Sequence, residues 1–359
     1  MKPPRRVLLI VTRRIGDVLL TTPLLHTLRL AWPEASIDVL VFRNTEGVLR
    51  GNTDIREIIA VPERPGFWQH LKLFLQLFRR YDLALSTLTS DKPTIYAWVA
   101  GKRRIGLLAP ERKQHWKQRL LTQAVEFDNR NTHTVLMNLK LAEALCVAPS
   151  YAVIATWTQQ DALQLAAIVP FDTQQEAYAV LHVYPKFAYK TWHIQGWLDL
   201  AHWLKARGLR VLLTGSKDPD ELAYVDLICK QLPPDTINLA GRLSLSQSAC
   251  LLSRAKVYVG PDTVMTHIAA AVAAPTVALF GPSNPVKWGP WPQGYAQPQN
   301  PYRLRGTQTV GRVTLLQGVG DCVPCMEEGC ERNIRSLSAC LQNLSSQEVI
   351  AAVQGLLEH

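Results

Sequence analysis

Two kinds of apolar pattern alternate along the chain. Val7–Thr12, Ile37–Phe42, Ile55–Val61 and Asp82–Leu88 are short runs rich in branched aliphatic residues, bounded by charges or turn formers. Such runs read as strands of a parallel sheet, buried on both faces. Between them the spacing changes to that of a helix. Leu20, Leu24, Leu25, Leu28 and Ala31 form one stripe, in which Pro23 either kinks the helix or marks its true first turn. Phe67–Arg80 is amphipathic, with Gln69, Lys72 and Gln76 on its polar side. Its apolar side reads first as a core-facing stripe, with an interfacial role as the alternative.

The alternation resumes near Ala177. Strands are expected at 179–183, 210–214, 256–260 and 276–280, and helices at 194–207, 222–231, 246–253 and 263–274. Two βα series imply two parallel sheets with helices on both faces. The stretch Ala148–Glu176 is polar, holds Pro149 and Pro170, and reads as the linker. We therefore expect an α/β chain of two Rossmann-like domains, residues 1–170 and 177–340. A final helix within 341–359 is expected to pack back toward the first domain. Residues 285–320 are rich in Pro, Gly and Trp and read as a long surface loop.

Length and composition agree with this picture. The chain has 359 residues, 47% of them hydrophobic, too long for one ordinary core and apolar enough for two. No apolar run approaches the ~20 residues that span a bilayer. The basic start is followed by too short an apolar stretch for a signal peptide, so a cytoplasmic protein is expected. Seven cysteines, an odd number, fit reduced thiols better than a disulfide framework. The net charge of +10 is uneven: residues 1–170 hold 23 basic and 14 acidic side chains, the remainder 16 and 15. An anionic partner for the first half follows, with plain solubility as the alternative.

Six places carry candidate chemistry. Asp17, after Gly16 at a strand-to-helix junction, is either a general base or a first-turn acid that complements the helix dipole. In Gly260–His267 the strand-to-helix junction offers N–H groups at Thr263 and Val264 to an anion. Asp262 there is a sugar ligand or an N-cap, and His267 a phosphate ligand or a core histidine. Lys186 and Lys190 are point charges for a diphosphate or exposed lysines, and Trp192 beside them reads as packing. Gly215 and Ser216 make room for a flat base with Glu221 on ribose hydroxyls, or form a polar turn. Cys322, Cys325, Cys330 and Cys340 are a metal-site alternative of imperfect spacing, and no metal is favoured. Gly101–Leu121 holds seven basic residues and one acidic; Lys102, Arg103, Arg104, Arg112 and Lys113 are an anion dock or a solvated face. There is no GxGxxG and no Walker A motif, and no nucleic-acid recognition motif.

In this order the motifs resemble the ADP-heptose:lipopolysaccharide heptosyltransferases of glycosyltransferase family 9. The resemblance rests on Ile15–Gly16–Asp17 with Thr22–Pro23, Lys190–Trp192, Asp262–His267, Ala269–Ala271, Pro275–Pro282 and Cys340–Leu341. It covers essentially the whole chain, and the cysteine-rich tail looks most like the third-heptosyltransferase branch. The chain departs from the family pattern at Val264, where Gly is usual, and in a longer segment after Gly215. The resemblance implies a GT-B fold, two Rossmann-like domains facing a central cleft, and inverting transfer of heptose from ADP-heptose to the inner core of lipopolysaccharide without a cofactor. It implies Asp17 as base and Lys190 with Thr263–Val264 on the departing diphosphate. Lys186, Gly215, Ser216, Glu221, Asp262 and His267 would complete the donor site. Arg14, Lys102, Arg103, Arg104, Arg112 and Lys113 would hold a phosphorylated acceptor, at the anionic cytoplasmic face of the inner membrane. The alternatives are a transferase for another sugar nucleotide and a non-catalytic anion-binding protein; nucleic acid is not expected as a partner.

Overall fold

The structure is a computed structural model that describes residues 2–109 and 115–358. Two compact units divide the chain, Met1–Ile154 with Ala296–Asn300, and Ala155–Tyr295 with Pro301–His359.

The first unit runs β1 (Arg6–Val11), α1 (Ile15–Leu19), α2 (Thr22–Ala31), β2 (Ser36–Phe42), β3 (Glu57–Val61), α3 (Phe67–Leu77), β4 (Tyr81–Ser86), α4 (Asp91–Ala100), β5 (Gly101–Leu108), α5 (His115–Gln118), β6 (Gln123–Glu126) and α6 (Thr134–Glu143). Its six strands are all parallel, in the order β3-β2-β1-β4-β5-β6. Every residue of Val7–Val11 is buried, as a central parallel strand requires. The order reverses between β1 and β4, which leaves a crevice beyond their carboxyl ends. The helix expected over residues 20–31 is α2, and the short α1 precedes it. Pro23 sits in the first turn of α2, where its missing N–H costs nothing. The basic stretch from Gly101 begins as strand β5. Its charges lie at the amino end, and Ile105–Leu108 are buried.

The second unit runs α7 (Gln159–Ile168), β7 (Tyr178–His182), α8 (Ile194–Ala206), β8 (Arg210–Thr214), α9 (Pro219–Cys229), β9 (Ile237–Asn238), α10 (Leu245–Leu252), β10 (Val257–Pro261), α11 (Val264–Ala271), β11 (Thr276–Phe280), α12 (Pro285–Trp288), β12 (Gln308–Val310), β13 (Val313–Gln317), α13 (Ala339–Gln342) and α14 (Ser346–Leu357). The sheet order is β12-β13-β11-β10-β7-β8-β9, parallel except for the β12 edge. Its reversal lies between β10 and β7.

Three expectations are corrected. The first unit ends at Ile154, not residue 170, because α7 packs in the second unit: Gln247 donates to Gln164 at 2.9 Å, and Phe171 lies edge-on to Tyr178. The expected loop 285–320 contains β13, which adds to the parallel sheet beside β11. Its five residues are hidden in the sequence by Pro- and Gly-rich flanks. Helix α14, expected to pack toward the first domain, is part of the second unit's core. Val349 and Val353 are buried in the core of the second, and the Ser346 hydroxyl donates to Asp199 at 2.8 Å.

Candidate active site

Lys190 and Asp262 approach the reversal of the second sheet from its two sides. Lys190 follows β7, and Asp262 is the first residue beyond β10. The Lys190 ammonium donates to Asp262 Oδ2 at 2.5 Å, and more weakly to the Asp262 carbonyl at 3.4 Å. His267, one turn into α11, places Nε2 3.9 Å from Asp262 Oδ1. Burial drives the His267 pKa down to about 4, so the ring is neutral near pH 7. Burial alone would raise the Asp262 pKa. The charges of Lys190 and His267 and the hydrogen bonds from Lys190 and Ser283 together outweigh it, and the carboxyl ends below its ordinary range. Asp262 is therefore the ionised partner of Lys190 and not a cap of α11; the N-cap position is Thr263.

No side chain caps α11. The N–H groups of its first turn, at Thr263–Val264, therefore present the positive end of the helix beside Lys190. Behind them the Thr266 hydroxyl donates to the Pro261 carbonyl at 2.5 Å and lies 2.9 Å from the Tyr258 hydroxyl, which ties α11 to β10. A Cβ at Gly260 would stand 2.2 Å from that Tyr258 oxygen, so only glycine fits there. Val264 keeps its N–H, and its side chain is half-buried.

Beside this group, Gly215 and Ser216 follow β8. Ser216 Oγ donates to Glu221 Oε2, and Asp218 caps α9 through the N–H groups of Asp220 and Glu221. Glu221 is buried, and burial raises its pKa. The longer segment after Gly215 thus still delivers this carboxylate. His182, at the end of β7, was not singled out from the sequence. Its Nε2 lies 3.9 Å from Glu221 Oε1 and its Nδ1 3.1 Å from the Thr214 hydroxyl. Burial lowers its pKa to about 4 as well. A histidine ending an apolar strand was the available signal.

The Lys190 segment is clamped from the far end of the chain. Ser338 Oγ donates to the Tyr189 carbonyl at 2.6 Å, Gln342 Nε2 to the Thr191 carbonyl at 2.7 Å, and Trp192 Nε1 to the Leu344 carbonyl at 2.8 Å. Trp192 is fully buried against Trp197, so packing is its role. Nothing in the sequence pattern pointed to Ser338 or Gln342. Lys186 is exposed and rests over the Phe187 ring, and the structure does not join it to the Lys190 group. Of the late cysteines, Cys340 is buried and Cys322, Cys325 and Cys330 are exposed, none in a disulfide. Among the described residues no three His, Cys, Asp or Glu side chains are gathered as a metal ion would need.

In the first unit Asp17 is buried in the first turn of α1, just past the carboxyl end of β1 and therefore at that sheet's reversal. Arg13 Nε lies 3.6 Å from its carboxylate. Arg14 is exposed at the N-cap position of the same helix. Asn138 Nδ2, from α6, donates to the Leu20 carbonyl at 3.1 Å and holds the end of α1. Lys102, Arg103 and Arg104 lie elsewhere. They begin β5, at the amino end of the sheet, about 20 Å of strand away from its carboxyl end. The structure does not bring them to Asp17. Arg112 and Lys113 lie outside the described residues.

The family model for glycosyltransferase family 9 (heptosyltransferase) matches residues 70–308, two thirds of the chain. The chain belongs to glycosyltransferase family 9. It is a glycosyltransferase of the heptosyl-transferring kind. Among its curated relatives, lipopolysaccharide heptosyltransferase 3 of Escherichia coli K12 is 28% identical over 79% of this chain and 84% of that protein. Two solved structures share the fold. The family 9 glycosyltransferase of Veillonella parvula superposes with a TM-score of 0.79 at 19% identity, over 100% of this chain and 99% of that one. The ADP-heptose lipopolysaccharide heptosyltransferase II of E. coli does so at 0.76 and 20%, over 98% of each. No helix among the described residues is long and apolar enough to cross a membrane.

Proposed function

We propose that this chain transfers heptose from ADP-heptose to a phosphorylated inner-core sugar of lipopolysaccharide, with inversion, at the anionic cytoplasmic face of the inner membrane. The observation that carries the reading is the Lys190–Asp262–His267 group beside the uncapped N-terminus of α11, at the reversal of the second sheet. A diphosphate leaving group needs cationic and N–H donors placed where its negative charge grows. An ammonium has three N–H donors, and among the described residues Asp262 is the only acceptor Lys190 bonds. Asp262 holds that ammonium in place and offers its second oxygen to the sugar. Glu221, with Ser216 and His182 around it, receives the ribose hydroxyls, and Gly215 leaves room for the base.

Asp17 is the base. The acceptor oxygen attacks the anomeric carbon as the bond to the diphosphate breaks, the hydroxyl proton passes to the Asp17 carboxylate, and ADP departs. Arg13 and Arg14 beside Asp17 suit a phosphorylated acceptor. The deciding experiment is mass spectrometry of the product formed from ADP-heptose and truncated lipopolysaccharide cores. A mass gain of one heptose with ADP release is expected. Absence of that product with every core, with no ADP binding by calorimetry, overturns the assignment.

A further inference from the structure

Helix α3 turns a second apolar face to solvent. Phe67, Trp68, Leu75 and Phe78 are 73%, 77%, 72% and 69% exposed, and Leu71 is 39% exposed. At 3.6 residues per turn these five lie within about 100° of arc. The adjoining arc holds Leu73 and Leu77, buried in the core of the first unit, with Phe74 and His70 half-buried beside them. Gln69, Lys72 and Gln76 fill the third. The core-facing reading of this helix therefore holds for one arc only. A contiguous apolar surface of five large side chains is of the kind that marks an interaction site.

The surroundings of that face are basic. Residues 63–80 hold Arg64, Lys72, Arg79 and Arg80 against a single acid, Glu63, and all four bases are exposed. At its C-terminal end α3 is tied to the start of β5: the Arg79 N–H donates to the Val99 carbonyl at 2.9 Å, and Arg79 Nη1 to the Gly101 carbonyl at 3.2 Å. Lys102, Arg103 and Arg104, which the structure keeps away from Asp17, begin there. Burial and then the charge of Arg79 lower the Arg104 pKa, so these two guanidiniums feel each other. Exposed Trp98 stands one residue before Val99.

From this juxtaposition of an exposed aromatic helix face and the exposed bases Arg64, Lys72, Arg79 and Arg80 around it, we infer that α3 lies flat on an anionic phospholipid bilayer and docks the first unit there. Phe, Trp and Leu enter the headgroup boundary, where Trp is favoured. The Lys and Arg rim meets lipid phosphates, and neighbouring bases add attraction that salt weakens. A second copy of the chain is the poorer occupant, because a two-fold contact through α3 would set one basic rim against another. The inference rests on the proposed function only in its choice of a membrane; the contact itself needs neither ADP nor heptose.

The test is cosedimentation of the full chain with phosphatidylethanolamine–phosphatidylglycerol vesicles, with phosphatidylcholine vesicles as the neutral comparison. Binding to the anionic vesicles alone, reversed by high salt, is expected. A Trp68→Glu, Leu75→Glu variant should bind about tenfold or more weakly. An Arg64→Gln, Lys72→Gln, Arg80→Gln variant should lose on the order of fivefold per base at low salt. All five positions face solvent, and an unchanged ADP thermal shift would show that the variants fold. Equal binding by the Glu variant, or no binding by the wild type, overturns the inference. So does a dimer seen by light scattering that the Glu variant separates. Failure of heptose transfer with vesicle binding intact would fault the proposed function instead, because the vesicle assay contains no sugar.

Discussion

In the proposed reaction a lysine and an aspartate carry the donor side, and in the structure each depends on the other. Asp262 is a largely buried carboxylate held ionised by Lys190. Removing the cation leaves that charge uncompensated, at a cost of about 3–5 kcal/mol. Lys190→Met should therefore lower stability in urea unfolding and reduce turnover by about 100-fold or more. The double change Lys190→Met with Asp262→Asn should recover much of the stability and none of the activity. Asp17 behaves differently because it belongs to the other unit. Asp17→Asn keeps the side chain's shape and removes its basicity. Turnover should fall to background while ADP affinity, read by calorimetry, stays at the wild-type value. A parallel loss of ADP affinity would show that Asp17 is not simply the base.

Elements matter here through the way they fix single residues. The Lys190 segment is short and irregular, yet four tail contacts hold it: Ile334 accepts from the Ala188 N–H, and Ser338, Gln342 and Leu344 bond residues 189, 191 and 192. Trp192 anchors this segment against the first turn of α8, where His193 caps the helix through the Gly196 N–H at 2.9 Å. A Cβ at Gly196 would come within 2.3 Å of the Trp192 ring. Gly196→Ala should therefore push the indole and, with it, Lys190. Overpacking of this kind costs about 1–3 kcal/mol. The midpoint of urea unfolding should drop, and ADP affinity should drop with it. Unchanged ADP affinity in the destabilised variant would uncouple the tryptophan from the lysine.

At the scale of the molecule, two buried histidines make stability depend on pH. His182 and His267 titrate near 4 in the folded chain against an unfolded value near 6.5. The sign follows from proton uptake. Between about pH 6.5 and 4 the unfolded chain binds two protons that the folded chain refuses, so stability falls as pH falls through that window. The shift sets an upper size of about 3 kcal/mol for each ring. Thermal unfolding followed from pH 7 to 4 should show a falling midpoint for the second unit, and His182→Gln with His267→Gln should flatten the profile. The same scale explains the charge asymmetry. The excess in the first half is divided, with Arg13 and Arg14 at the Asp17 end of the first sheet and Arg79, Arg80 and Lys102–Arg104 at the other.

The alternation of short continuous apolar runs with stripes of period 3.6 set the class of fold, because burial on both faces of a parallel strand leaves a compositional mark that short elements cannot hide. The strand-to-helix junctions at Asp17 and Asp262 were legible for the same reason: a strand, a glycine or proline and a helix in succession put those carboxylates at carboxyl ends. Three things were not legible. Elements with mixed composition, β13 in a Pro-rich setting and β5 behind three bases, are strands only because neighbouring strands supply their hydrogen bonds. The direction in which charges face depends on strand polarity, so Lys102–Arg104 read as one anion dock with Arg112 until the sheet placed them at its amino end. Contacts distant in sequence, such as Ser338 and Gln342 on the Lys190 segment, leave no local pattern at all. Local sequence sets which face of an element is apolar. Only tertiary packing decides whether that face is covered, and for α3 one apolar face is and the other is not.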